Sequence, residues 1–375
     1  MTKPKSNLHI NARFLGSPHQ TGTHRSSTRF LQSILKHSSD RQTIIHGEKA
    51  AIQALTNTAD CRIIDSGKAG KFGKHFYEQF RFPTQIGSSF TLHMMNTGPF
   101  ILPNKRQILI IHDLNPFKCK DSFSRQFRYW NWFACKLAIK RSFHIISFSR
   151  FVSDEIRSEF NLDASQVSTI YQGPGLDIPL DSSEPLGSQK KNYFLCVGSL
   201  QPHKNLPRIL EAWTQSRLGS QGFSLKIIGK KQAGFQDLLL DFNPDEDSSV
   251  EFSGYVTDKE LMQLYQEAQG LIYPSIEEGF GLPIVEAFKL GCPVITSNRS
   301  CLPEIAGDAA LLVDPYQVSS ITAAIVNLAN NSSRQQQLIR AGSDRASIFN
   351  WDKAGRDFWQ LLEKLNEMNP VESSQ

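Results

Sequence analysis

No stretch of this chain approaches the ~20 consecutive apolar residues that a membrane-spanning helix requires, so nothing in it predicts a bilayer span. Its start, MTKPKSNLHI, has no apolar leader core, which argues against a secretory signal. The six cysteines (Cys61, Cys119, Cys135, Cys196, Cys292 and Cys301) include no CxxC pair. That excludes the usual zinc-ribbon spacing and a disulfide framework, and predicts small buried thiols in a reducing compartment. No GxGxxG follows the first strand-like run, so a dinucleotide fingerprint is missing. No nucleic-acid-binding module is recognisable either, and no metal site is expected.

Acidic residues are scarce in the first half. The net charge is +12 over residues 1–180 and −7 over 181–375, which together make the +5 of the whole chain. A basic half suits an anionic partner such as lipid phosphate or a membrane surface; the plainer reading is a solvated surface with no partner. At 375 residues with 39% hydrophobic and 21% charged content, the chain is long enough for two or three globular domains.

What is present is strand–helix alternation, twice. In the first half LHINARFL (8–15), QILIIH (107–112) and the run 143–148 read as strands, and a helix follows a loop containing Pro18 and Gly22. The all-apolar run ending at His112 predicts a strand buried on both faces of a parallel sheet. Ligands collect beyond the carboxyl ends of such strands, which puts His112 where chemistry takes place. A capped strand end, with Asp113 opening a turn, is the plainer account. The segment 121–141 predicts a helix with Phe123, Phe127, Tyr129, Trp130, Trp132 and Phe133 among five basic residues. Its default reading is a core helix with one basic face; the other is a helix lying on an anionic membrane.

The Pro-, Ser- and charge-rich stretch 177–191 predicts a domain boundary. Beyond it, strands are expected at 193–197, 224–228, 250–252, 270–273, 293–296 and 310–313, with helices between. Gly198, Ser199, Lys204, Gly229, Lys230, Gly254, Tyr255 and Glu278 then follow strands of a second parallel sheet, so one edge gathers them. The densest stretch is PSIEEGFGLPIVEAFKLGCP (274–293). Gly279-Phe280-Gly281 makes a loop, and Leu282-Pro283 starts a helix whose unpaired N–H groups attract anions such as phosphate. Glu278 lies just before the glycines and Glu286 inside the helix. A carboxylate accepts two hydroxyl hydrogen bonds, as a sugar or ribose diol offers. Plain dipole compensation is the competing account for Glu286.

These residues resemble the family 4 glycosyltransferases, retaining enzymes of the GT-B fold, and among them bacterial mannosyltransferase-like members. VGSLQPHKNLPRIL (197–210), EGFGLPIVEAFKLGCPVITSN (278–298, an E-x7-E motif) and LPEIAGDAALLVDP (302–315) carry the resemblance most specifically. GTHRSSTRFL (22–31), YEQFRFP (77–83), NTGP (96–99), IHDL (111–114), SFSRFVSDEI (147–156) and FNWDKA (349–354) extend it over nearly the whole length.

The resemblance implies an acceptor-binding Rossmann-like domain over 1–180 and a nucleotide-sugar-binding one over 181–348. The two would face each other across a cleft, with a C-terminal helix over 349–375 crossing back to the first domain. It implies that Glu286 holds the donor ribose, Glu278 the transferred sugar, and the amides of Gly279, Phe280, Gly281 and Leu282 the sugar hydroxyls and diphosphate. Lys204 would neutralise the leaving diphosphate, with Ser199 beside it. Tyr255 and Val256 would hold the base, and Gly22 the diphosphate from the first domain. His112 would line the reacting sugar. Ser199 stands where the family often has Arg, and His203 where some relatives have Arg, so one phosphate cation is missing or pH-dependent.

The expected donor is GDP-mannose, with a UDP-sugar as the alternative, and no metal or other cofactor is implied. The expected acceptor is a saccharide or lipid-linked saccharide. The expected location is cytoplasmic, with peripheral contact to the inner face of the membrane. A nucleotide-sugar epimerase and a non-catalytic sugar-nucleotide-binding subunit are the competing readings.

Overall fold

The computed structural model describes residues 7–17, 21–38, 42–55, 61–67, 71–102, 104–122, 124–178, 190–229 and 247–369. Pro18, Phe123, Lys230 and most of the 177–191 segment lie outside them. The chain forms two compact units. One comprises Met1–Phe117, Arg125–Gly173 and Asn350–Gln375; the other comprises Lys118–Ser124 and Pro174–Phe349.

The first unit is built on seven parallel strands in the order β3-β2-β1-β4-β5-β6-β7. They are β1 (Leu8–Asn11), β2 (Thr43–Gly47), β3 (Arg62–Asp65), β4 (Phe90–His93), β5 (Gln107–Ile111), β6 (His144–Ser147) and β7 (Val167–Thr169). β1, β2, β4, β5 and β6 are buried along their whole length, as helices on both faces of a parallel sheet demand. β4 has no counterpart in the sequence reading. Its four residues, FTLH, are too short to show a period against the aromatic, glycine-rich run before them.

The last helix, Trp351–Met368, belongs to this unit and packs on the helix Gly22–Lys36. Phe358 meets Phe30 edge-on at 5.8 Å, and the Trp359 indole donates to the Ile34 carbonyl at 2.9 Å. Gly355 makes that approach feasible: a Cβ there would sit 2.4 Å from the Ser33 hydroxyl and 2.5 Å from its carbonyl oxygen. Asp352, at the start of the same helix, pairs with Lys36 at 2.7 Å.

The helix Arg125–Arg141 departs from its core-helix expectation. Only Ala134, Cys135, Ala138 and Ile139 are buried; Phe127, Tyr129, Trp130, Trp132 and Phe133 are all exposed. The small residues sit against the sheet, and five aromatic rings are left in water beside the basic side chains.

The second unit holds six parallel strands in the order β10-β9-β8-β11-β12-β13, the same 3-2-1-4-5-6 winding. They are β8 (Tyr193–Val197), β9 (Ser224–Ile228), β10 (Val250–Gly254), β11 (Gly270–Tyr273), β12 (Val294–Ser297) and β13 (Ala310–Val313). All six were legible as apolar runs. Phe194, Trp213, Leu225, Ile272, Ile295 and Ile325 lie in one continuous core beneath them.

Candidate active site

Because every strand of the second sheet runs the same way, the residues after β8, β9, β10, β11 and β12 share one edge. The backbone is tightest at its middle. A Cβ on Gly229 would stand 1.8 Å from the Gly198 carbonyl oxygen, so these two chain turns touch and residue 229 must be glycine. Gly198 itself has φ +149° and leaves ordinary room beside the Lys204 stem.

From β8 the chain passes Ser199, whose hydroxyl donates to Gln201, and enters the short 3-10 turn Pro202–Lys204. Asn205 caps that turn in the left-handed region, φ +67°, which Asn tolerates better than most residues. Its buried amide donates to the carbonyls of Pro274 (3.1 Å) and Pro315 (2.7 Å), and Ile276 N–H donates to the His203 carbonyl at 2.8 Å. Three loops are thereby tied together, and Lys204 is delivered onto the loop after β11.

There Lys204 Nζ reaches Glu278 Oε1 at 2.5 Å and the Tyr273 hydroxyl at 3.0 Å, while Tyr273 donates to the same Glu278 oxygen at 2.5 Å. Burial pushes the Glu278 carboxyl up, but the Lys204 charge and the two hydrogen bonds outweigh it and hold it below the ordinary glutamate range. The Glu278 backbone is gripped too. Its N–H donates to the Ser300 hydroxyl, and its carbonyl accepts from that hydroxyl at 2.8 Å.

Gly281, φ +97°, turns the chain into the helix Leu282–Lys289, with Pro283 in the first turn. Phe280 is buried edge-on against Phe349 at 5.6 Å, and Leu282 is half-buried. Gly279 and Gly281 complete the loop between Glu278 and the helix start. Glu286 is buried: one oxygen accepts from the Gly175 N–H at 3.1 Å and the other from the Tyr265 hydroxyl at 3.2 Å. Tyr255 is 77% exposed after the left-handed Gly254, with Val256 half-buried beside it at the same edge.

His203 is not a phosphate cation. It is buried, hydrogen-bonded through Nδ1 to the Ser122 hydroxyl at 2.9 Å, and lowered to about 4 by burial and then by the Lys204 charge. Near neutral pH it is uncharged, which leaves the Ser199–Lys204 turn one fixed cation, Lys204.

In the first unit, Gly22 is exposed at the first position of its helix, with Thr21 as the cap. His112 follows β5 and is buried. Its Nε2 lies 2.8 Å from the Met94 carbonyl and 3.2 Å from the Ser27 hydroxyl. Burial lowers it to about 4, although the Met94 carbonyl works the other way. A neutral imidazole donating from Nε2 keeps its lone pair on Nδ1, a hydrogen-bond acceptor for a hydroxyl.

Sequence reasoning passed over Tyr273, Asn205, Tyr265 and Ser300. Tyr273 and Tyr265 read as apolar core in a periodic pattern, and only the hydroxyl positions in three dimensions separate them from core. The signal for Asn205 was an Asn directly after the lysine turn, where a left-handed cap is common.

Residues 179–345 match the model of the group 1 glycosyl transferases. An O-antigen chain mannosyltransferase B of Escherichia coli is 30% identical over 276 residues, covering 68% of this chain and 70% of that one. The chain belongs to the group 1 glycosyl transferases. A further relative, the O-antigen chain mannosyltransferase RfbU of Salmonella typhimurium, is 32% identical over 227 residues. That match covers 60% of this chain and 61% of the relative's length. The crystal structure of Anabaena HepE in complex with UDP and glucose superposes with a TM-score of 0.67 at 17% identity, covering 96% of this chain and all of that one. The likeness shows the fold, which for this group 1 glycosyl transferase is GT-B.

Proposed function

We propose that this chain transfers a mannosyl group, with retention, from GDP-mannose to a saccharide or lipid-linked saccharide acceptor in polysaccharide assembly. The observation that carries the reading is the buried Lys204–Tyr273–Glu278 cluster beside the Gly281 helix start. The bond that breaks joins an anomeric carbon to a diphosphate, and the charge to be met develops on the leaving phosphate. A lysine and a helix N-terminus are suited to that charge, and a metal ion is not required by it. Lys204 exchanges its Glu278 contact for the diphosphate, Glu278 turns to the sugar hydroxyls, and Glu286 receives the ribose diol. The loop amides from Gly279 to Leu282 bind the diphosphate. Ser199 lines that phosphate turn, and Tyr255 and Val256 hold the base.

The choice of mannose rests on the two mannosyltransferase relatives; the HepE complex keeps UDP-sugars as the alternative donor. Transfer is favoured over epimerisation or simple binding because the chain belongs to a transferase family. A thermal-shift panel of nucleotide sugars tests the donor. At 100-fold excess over Kd the bound form gains about 2.7 kcal/mol, a readily visible shift. A shift with GDP-mannose and none with UDP-glucose is expected; the reverse would replace the donor. Release of GDP without any acceptor product, across saccharide acceptors, would overturn transfer.

Among the described residues no helix is long and apolar enough to cross a membrane. The exposed rings of Tyr129, Trp130 and Phe133, interleaved with Arg125, Arg128, Lys136 and Lys140, support peripheral contact with an anionic inner membrane face. Co-sedimentation with anionic vesicles, lost on Trp130→Ser combined with Phe133→Ser, is the expected result.

A further inference from the structure

The first unit has its own polar cluster at a sheet edge, and none of the residues assigned above belongs to it. β1, β2 and β4 lie side by side, and their register places His46, Asn11 and His93 in one row at the carboxyl ends. A π-helical turn, Tyr77–Arg81, lies against that row. Asn11 Nδ2 donates to Glu78 Oε1 at 2.9 Å and lies 3.3 Å from His93 Nδ1. The Tyr77 hydroxyl meets His46 Nδ1 at 3.1 Å, and His46 in turn contacts His9 at 2.8 Å. Just past β1, the Arg13 guanidinium stacks over the Tyr77 ring at 5.1 Å.

Two donors in this cluster are left over. Arg13 is 8% exposed and His93 is 1% exposed, yet Arg13 Nη2 and His93 Nε2 have no hydrogen-bond partner among the described residues. Arg13 forms no ion pair among them either. A buried guanidinium nitrogen without an acceptor is costly, since each unpaired buried polar group forfeits its hydration; Glu78 acts on the Arg13 charge but makes no ion-pair contact with it. Its planar fork matches a carboxylate or a phosphate. The imidazoles do not add charge. His93 and His46 are lowered to about 3 and His9 to about 4, each by burial first. Burial likewise raises Glu78 to about 7, against the pull of Arg13 and Asn11. The cluster therefore holds one firm positive charge and a carboxyl that is half protonated near neutrality, able to donate as well as accept.

We propose that Arg13, Asn11, Glu78 and His93 bind an acceptor saccharide that bears a single negative charge, either a sugar carboxylate or a phosphodiester. Arg13 takes the anion, and His93 Nε2, Asn11 and Glu78 take neighbouring hydroxyls. A doubly charged phosphate monoester is a poorer match, because one guanidinium faces it together with Glu78. The assignment deepens the proposed transfer reaction and rests on it only for calling the bound saccharide an acceptor.

The test is an NMR titration of the full chain with 15N-labelled arginine. Glucuronate supplies the carboxylate, methyl glucosyl phosphate the phosphodiester, and glucose the neutral control. At least one charged probe is expected to bind at least tenfold tighter than glucose and to move the Arg13 Nε–Hε resonance, assigned from the Arg13→Lys spectrum. Arg13→Gln is expected to lose that preference. A glucuronate response alone identifies an acidic sugar; a diester response alone identifies a phosphodiester-linked acceptor. Charged probes binding no better than glucose, or a folded Arg13→Gln binding them as the wild type does, would overturn the site. The wild-type titration decides even if Arg13→Gln does not fold. GDP-mannose binding to the same sample reports the donor reading separately, so either can fail alone.

Discussion

Lys204 is held by a buried carboxylate at 2.5 Å, and it is also the one cation in its turn that stays charged near neutral pH. Lys204→Ala is expected to lower turnover by about 10²–10³, the loss typical of one charge-stabilising donor. It should also lower Tm, because Glu278 is left buried without its partner. Lys204→Arg should recover the Tm more than the rate, since a planar fork replaces a point charge. Unchanged turnover in a folded Lys204→Ala would remove Lys204 from the leaving-group role. Asn205 acts differently. Asn205→Ala strips the donor from two buried carbonyls at an estimated cost of about 1–3 kcal/mol each. The measurement is a denaturation midpoint: a loss under 1 kcal/mol would mean that the three loops are held by other contacts. Glu278, Glu286 and Lys204 were legible from residue type and spacing. Tyr273 and Asn205 were not, because a tyrosine at a strand end reads as core until its hydroxyl is placed.

At the scale of elements, the strand–helix punctuation of the second unit was readable throughout. Each strand is an apolar run closed by glycine, proline or a polar pair, and the Thr257–Glu260 capping box marks its helix with both reciprocal hydrogen bonds. The first unit was harder. β4 is four residues long, and the π turn at Tyr77–Arg81 has no periodic pattern to mark it. The aromatic helix Arg125–Arg141 was misjudged because hydrophobic content does not say which side the sheet occupies. The last helix yields a sharp expectation. Gly355→Ala places a methyl group against the Ser33 backbone, and overpacking of this kind costs typically 1–3 kcal/mol. Gly355→Ala should therefore lower the melting temperature, although Ala is the better helix former by about 1 kcal/mol. A rise in Tm would show that the two helices separate freely.

For the molecule as a whole, burial of neutral histidine sets the response to acid. His9, His112 and His144 are lowered to about 4, and His46 and His93 to about 3, all in the first unit; His203, about 4, is in the second. Below the unperturbed 6.5 the unfolded chain binds protons that the folded chain refuses, so stability falls as pH drops toward 4. Each such histidine costs up to about 1.4 kcal/mol per pH unit in that window. Glu78, raised to about 7, holds its proton in the fold while the unfolded carboxyl gives it up above its ordinary 4.5, and so offsets one of the five. The first unit should lose stability faster than the second between pH 6.5 and 4.5. Calorimetry at stepped pH is expected to resolve its transition moving to lower temperature first. A pH-independent pair of transitions over that range would contradict the neutral assignment.

The sequence by itself determined the two parallel sheets of the GT-B fold, the edge that gathers Lys204 and Glu278, and the family. Periodicity, glycine punctuation and a densely spaced motif are properties of neighbouring residues and survive in one dimension. Tertiary structure alone decided which polar groups are satisfied: His203 neutral on Ser122, Glu278 shared by Lys204 and Tyr273, and Arg13 Nη2 buried without a hydrogen-bond partner among the described residues. Those facts depend on burial and on contacts between residues up to 81 positions apart, as between Ser122 and His203, and no local pattern encodes them.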